Sequence, residues 1–191
     1  MAIRNATKRL LADHLKAQMQ QKSLDKIAIA DITNAAGVNR QTFYYHFKDI
    51  FDLLKWTLQQ ETILPLQEQT INNWQQALLG LFTYLDENRA FALSAVHSLG
   101  QDPFKRFFYT EVNEIITDVI ENLSETLDED EEYAAFLSHF YTVSLSSLAL
   151  SWLQGEMDAT PEQIIAFIDR AINEQRVGAN VLFQSKLNEK A

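Results

Sequence analysis

An all-α fold is predicted by three features of the chain. Apolar residues recur at helical spacing along nearly its whole length, and no segment alternates as a half-buried strand does. Only 5 Gly and 3 Pro punctuate 191 residues, and 47% of the residues are hydrophobic, enough for a packed core. The expected architecture is an N-terminal three-helix unit built around a helix-turn-helix, followed by an antiparallel helical body. The expected boundaries are 1–48 for the first and 49–191 for the second, with 49–63 as a linking helix.

The first helix is expected over 4–22, where Leu11, Leu15 and Met19 are spaced by four, and Ser23-Leu24-Asp25-Lys26 ends it. Ile29, Ile32 and Ala36 form the buried stripe of a short second helix over 29–36, although Ala28 stands where a Ser or Thr cap is usual. Gly37 follows at once, where a chain leaving a helix favours positive φ. Asn39 suits the N-cap of a third helix over 40–46, and Phe43 and Phe47 lie four apart on its inner side. That layout leaves Arg40, Gln41, Thr42, Tyr44, Tyr45 and His46 free of core duty. These are the donors and flat rings that meet phosphates and base edges.

Asp49 caps the linking helix, which carries Ile50, Leu53, Leu54, Thr57 and Leu58 inward. Pro65 is expected to interrupt or kink it, because proline cannot donate the helical hydrogen bond. Further helices are expected near 68–87, 89–100, 103–127, 131–154 and 161–183. Asn88, Gly100 to Pro103, Asp128 to Glu132 and Gly155 to Pro161 separate them, and the tail is expected to fray beyond Phe183.

Charge is also divided unevenly along the chain. Residues 1–60 carry nine Lys/Arg against five Asp, a net of +4, whereas the remainder carries seven Lys/Arg against 21 Asp/Glu. The overall −10 therefore hides a basic N-terminal end that suits a polyanion and an acidic body that does not. With no cysteine, disulfides and thiolate metal sites are excluded. The N-terminal stretch lacks the apolar core of a signal peptide, and no apolar run is long enough for a membrane span, so a cytoplasmic protein is expected.

Catalytic chemistry finds little support. Glu111, Glu114, Asp118, Glu121 and Glu125 form one acidic stripe, but no Glu-x-x-His pair accompanies it. Ile115, Val119, Ile120 and Leu123 lie opposite, which makes the stripe the wet side of an amphipathic helix. The four histidines are scattered, and neither a phosphate loop nor a nucleophile elbow is present. A helical-bundle enzyme or scaffold is thus a distant alternative, and no cofactor or metal is expected. The many rings between Trp74 and Trp152 are mostly core. A subset could line an apolar pocket, with Phe108 and Trp152 as walls and His97, His139 and Tyr141 as polar anchors.

The run Ala35 to Phe47, with Lys48 behind it, resembles the signature of TetR-family transcriptional regulators. The resemblance covers roughly residues 4–58 with specific motifs and the rest of the chain loosely. It implies a homodimer on double-stranded operator DNA, in which Thr42, Tyr44 and Lys48 meet phosphates and Arg40, Gln41, Tyr45 and His46 face bases or nearby backbone. Val38, Phe43 and Phe47 correspond to the core beneath. Together with Asn39, these polar residues make up the candidate DNA-binding set. The resemblance also implies dimerisation through the helices near 131–154 and 161–183. There Ser144, Ser146, Ser147, Ala149 and Ser151 allow close approach, and Ile164, Ile168 and Ala171, flanked by Ile165 and Ile172, form an apolar ridge.

Many family members follow the Phe with Lys-Glu-x-Leu, whereas this chain reads Phe47-Lys48-Asp49-Ile50-Phe51-Asp52-Leu53-Leu54-Lys55-Trp56. With Trp74, Phe91, Ser98-Leu99-Gly100 and Trp152, this is similar to the Firmicutes-type branch that includes activators of dihydroxyacetone-kinase operons. That likeness implies an activator working with a protein co-regulator, beside the family's more usual small-molecule effector in the C-terminal domain.

Overall fold

The computed structural model describes residues 2–70, 73–127 and 131–172, with side chains described except at 2–4, 69–70 and 121–127. Within them the chain is helical and has no strand. The N-terminal head consists of α1 (Ala2–Met19), a short 3₁₀ turn (Leu24–Lys26), α2 (Ile29–Ala35) and α3 (Arg40–His46). Leu11, Leu15 and Met19 of α1 are buried against Ile32 of α2 and Phe43 of α3, as their spacing predicts. The first helix ends at Met19, three residues before the expected limit. Ala28 supplies no side-chain cap to α2, and the start is held from the other direction, with the Asp31 carboxylate accepting from the Ala28 N–H at 3.1 Å. The same carboxylate pairs with Lys22 Nζ at 3.0 Å.

The linking segment departs from expectation. α4 (Ile50–Leu58) does not stop at Pro65 but runs through a π-helical turn (Gln59–Ile63) into α5 (Leu64–Thr70). The Leu64 N–H bonds to the Gln59 carbonyl five residues back. Proline lacks an N–H and crowds the carbonyl four residues earlier, and the widened turn just ahead of it relieves that conflict. The expected helix over 68–87 is in fact divided. Asn73 caps a new helix, α6 (Trp74–Glu87), by accepting from the Gln76 N–H at 3.2 Å.

The body continues with α7 (Arg89–Leu99), α8 (Gln101–Leu127), α9 (Glu131–Leu153) and α10, described over 161–172. α8 starts before Pro103, which sits in its first turn where no backbone donor is required. The rest of the expected last helix, the tail beyond Phe183, and Asp128 to Asp130 lie outside the described residues. One apolar core runs from Leu11 through Phe43, Leu54, Leu58 and Ile63 to Phe82, Phe91, Trp152 and Ile164, so head and body are packed together through α4.

The first half of α9 reverses the usual rule. Its side against the body is small and polar, with Ala134, Ser138 and Thr142 buried, whereas the last turns bury Leu150, Trp152 and Leu153. The Ser138 and Thr142 hydroxyls donate to carbonyls four residues back, at 3.0 and 2.7 Å, and the Thr142 hydroxyl also lies 3.4 Å from Asn113 Oδ1 of α8. Its opposite side exposes Tyr133, Phe136, Phe140 and Val143. The expectation that the body's rings are core holds for Phe82, Phe91, Phe104 and Phe108 and fails for Phe136 and Phe140.

Candidate nucleic-acid interface

α3 is presented by the turn before it and the rings beneath it. Gly37 has φ +66°, and nothing stands within 4 Å of where a Cβ would lie. The glycine is therefore required by backbone conformation rather than by space. Asn39 Oδ1 then accepts from the Thr42 N–H at 2.7 Å and lies 3.0 Å from the Thr42 hydroxyl, which starts α3 firmly. Phe43 and Phe47 turn inward and are 0% and 3% exposed.

Seven-residue α3 has one side left, and the predicted residues occupy it. Arg40 and Gln41 are exposed, as is Lys48 just beyond the helix. Tyr44 and Tyr45 are 58% and 68% exposed, so most of each ring faces solvent. The Tyr44 ring meets Phe43 edge to face at 5.6 Å, and Tyr45 meets His46 at 5.0 Å, so both are steadied from one side. Thr42 and His46 are half-buried. Asn39 is exposed, but its amide oxygen is committed to the cap. Beyond α3 the Asp49 carboxylate accepts from the Asp52 N–H and Asp52 from the Lys48 N–H, each at 2.9 Å. Those bonds fix the backbone on which Lys48 projects.

Lys8 was not in the predicted set. Its ammonium lies 5.3 Å from the Phe47 ring centroid and 5.4 Å from that of Trp56, bracing the end of α3 against α4 from the first helix. Nothing local in the sequence marks that role, since Lys8 is separated from the two rings by 39 and 48 residues.

The proposed pocket residues do not converge. His97 is exposed on α7, and His139 is exposed on α9, where its Nδ1 lies 2.9 Å from the Tyr109 hydroxyl. Tyr141 is half-buried, and burial, with the nearby Tyr133 second, raises its phenol above the ordinary range. Phe108 packs on Phe104 at 4.9 Å and Phe107 at 5.5 Å. Trp152 packs on Phe82 at 5.1 Å and donates from Nε1 to the Ala159 carbonyl at 2.7 Å. A cleft of about 370 Å³ lies elsewhere, between α1 and the linking segment, lined by residues including Arg9, Asp13, Trp56, Glu61 and Pro65.

The acidic stripe of α8 is solvated at Glu114 and Asp118, while Glu111 accepts from Gln59 Nε2 at 3.1 Å. Glu121 and Glu125 lie outside the described side chains. Among the described residues no group of three or more His, Asp or Glu is placed to hold a metal ion. Nor is any described helix long and apolar enough to cross a membrane.

Comparison with known proteins agrees with this geometry over both halves of the chain. A relative from Lactococcus lactis subsp. lactis (strain IL1403), the HTH-type dhaKLM operon transcriptional activator DhaS, is 34% identical over 86 residues. That match takes in 44% of this chain and 46% of the relative, so the chain spans about half the length of the curated protein it matches. A solved structure of a dihydroxyacetone kinase operon activator DhaS superposes with a TM-score of 0.71 at 23% identity, covering 88% of this chain and 95% of that one. At that identity the superposition establishes the fold. Residues 3–55 match the bacterial regulatory proteins of the tetR family, and residues 72–174 match a transcriptional regulator C-terminal region of the same family. With the helix-turn-helix at one end and the matched body at the other, the chain belongs to the TetR family of transcription regulators.

Proposed function

We propose that this regulator acts as a homodimer that reads a specific operator with α3 and activates transcription of neighbouring genes. The observation that carries the DNA reading is the exposed row Arg40, Gln41, Tyr44, Tyr45 and Lys48 on a helix whose inner side is sealed by Phe43 and Phe47. A polar, aromatic helix face on a basic head suits the major groove and the phosphates beside it. We take 1–48 as the DNA-binding domain and 49–191 as the regulatory and dimerisation domain.

Dimerisation is supported by the exposed rings of α9. Tyr133, Phe136 and Phe140 stack along the helix, with centroids 6.3 and 6.1 Å apart, and Phe167 of α10 is exposed as well. Ser144 and Ser147 continue the stripe toward the C-terminal end of α9, where a second helix can approach closely. A single helix-turn-helix offers few base contacts, and a pair multiplies them.

Activation of a dihydroxyacetone kinase operon is the reading suggested by the relatives' names. Control by a protein co-regulator is favoured over a buried small molecule because Phe82, Phe104, Phe108 and Trp152 fill the body with ring-on-ring contacts. The decisive experiment selects bound sequences from random duplex DNA and locates them beside genes. The expected result is two inverted half-sites whose centres lie about 34–36 Å apart or somewhat more, upstream of the regulated operon. Failure to enrich any sequence would contradict the proposal.

A further inference from the structure

Glu61 lies in the π-helical turn, and its Oε2 is shared by two donors from other parts of the chain. Lys16 Nζ of α1 is 2.5 Å away, and the Tyr84 hydroxyl of α6 donates to the same oxygen. The Lys16 ammonium also stands 4.8 Å from the Tyr84 ring centroid and 5.6 Å from that of Phe91 on α7. One carboxylate oxygen thus joins the head, the linking segment and α6 of the body, and the Lys16 ammonium adds a contact to α7. By contrast, the Lys22–Asp31 pair lies within the head and the Arg89–Asp86 pair within the body.

The site is protected enough for this to matter. The Lys16 and Glu61 side chains are 19% and 26% exposed, so the pair is screened less than a surface pair. Burial, and then the Glu61 carboxylate, hold the Tyr84 phenol well above its ordinary range, so it stays a donor throughout the physiological span. Two donors converging on one oxygen also tolerate little displacement, because hydrogen bonds weaken steeply with distance and angle. Gln59, two residues earlier, is tied to Glu111 of α8, so the same turn is held to the body at a second point. Both ends of the contact are reachable from solvent. Glu61 borders the cleft with Arg9 and Trp56, and Tyr84 borders a shallow depression on α6 with Thr83 and Glu87.

We propose that Lys16, Glu61 and Tyr84 are positioning residues for DNA binding, which together set the angle of the head on the body. The inference rests on α3 as the DNA-reading helix, and its test separates the two.

The chain has no cysteine, so Asn34→Cys in the head and Glu87→Cys in the body supply two unique spin-label sites. Pulsed EPR on labelled protein diluted into unlabelled protein reads the distance within one chain, without DNA. The parent is expected to give one narrow distance. Tyr84→Phe, which removes one oxygen and keeps the ring, and Glu61→Gln, which keeps the shape and removes the charge, are expected to broaden or split it. Lys16→Arg keeps a cation and should restore the parent's distribution more nearly than Lys16→Met. On a duplex recovered by selection, Tyr84→Phe and Glu61→Gln should lose about tenfold in affinity, the usual scale of coupling between sites. Unchanged distances in both variants would overturn the proposal whatever happens to the melting temperature, and Tyr84→Phe alone decides should Glu61→Gln fail to fold. A changed distance in a protein that binds no selected duplex would support the positioning role and remove the DNA reading instead.

Discussion

Phe47 and Trp56 meet edge to face with their ring centroids 5.7 Å apart. Phe47 ends α3 and Trp56 lies on the linking helix, so this contact ties α3 to α4, while Phe43 ties it to the core of the head. Lys8 lies over both rings from the first helix. Removing Phe47, which is 3% exposed, should be severe: Phe47→Ala is expected to cost about 3–5 kcal/mol, a large share of a typical domain's stability. Lys8→Ala should cost about 0.5–1 kcal/mol, the scale of a cation over aromatic rings where the cation keeps access to water. Denaturant unfolding checks both, and equal effects would contradict the seating described here.

The exposed side of α3 should behave oppositely. Tyr45→Ala is expected to leave stability within about 0.5 kcal/mol, as surface substitutions do, while weakening binding to a selected duplex. Calorimetric melting and fluorescence anisotropy on the same samples separate the two effects. A melting loss comparable to that of Phe47→Ala would place Tyr45 in the core.

The pH response of the head has a defined sign. The Asp31 carboxyl is held below its ordinary value of 3.8 by hydrogen bonding to Lys22 and then to the Ala28 N–H. A lowered pKa in the folded state means that this contribution is present above pH 3.8 and is lost as the pH falls through the lowered value. An NMR titration should find the Asp31 midpoint below 3.8 and should find it displaced upward in Lys22→Ala. A midpoint at or above 3.8 would contradict the pairing.

The exposed rings of α9 lead to a prediction about assembly. Phe136→Glu with Phe140→Glu is expected to give a folded monomer by light scattering and circular dichroism at micromolar concentration. Both rings are solvent-facing in the single chain, so the change should act on association rather than on the fold. An unchanged dimer would remove this surface from the interface.

The head was legible because its signals are local. Gly37, Asn39 and the Phe43–Phe47 spacing each act within a few residues, and the structure realises all three. The linking segment was less so, because proline's effect depends on whether the preceding turn can widen, and the π-helical turn before Pro65 lets the helix continue. The break at Asn73 rests on a cap whose strength is visible only once the chain around it is placed. For α9 the pattern was readable but ambiguous. Its rings fall at spacings of three and four, which suits a core stripe equally well, and only the small buried residues Ala134, Ser138 and Thr142 show which side faces the body. The meeting of Lys16, Glu61 and Tyr84 has no local signature, since the three are separated by 45 and 23 residues.

The central claim is that α3 reads sequence while its flank holds the backbone, and one comparison tests it most directly. Binding of selected duplexes is measured against salt concentration, and selection from random DNA is repeated, for the parent, Lys48→Ala, Gln41→Ala and Arg40→Ala. Lys48→Ala is expected to weaken all duplexes alike and to lower the salt slope by about one unit. Gln41→Ala and Arg40→Ala are expected to change the preferred sequence, each costing about 1–3 kcal/mol per half-site where the side chain meets a base. A changed sequence preference in Lys48→Ala, with none in Gln41→Ala or Arg40→Ala, would contradict the account.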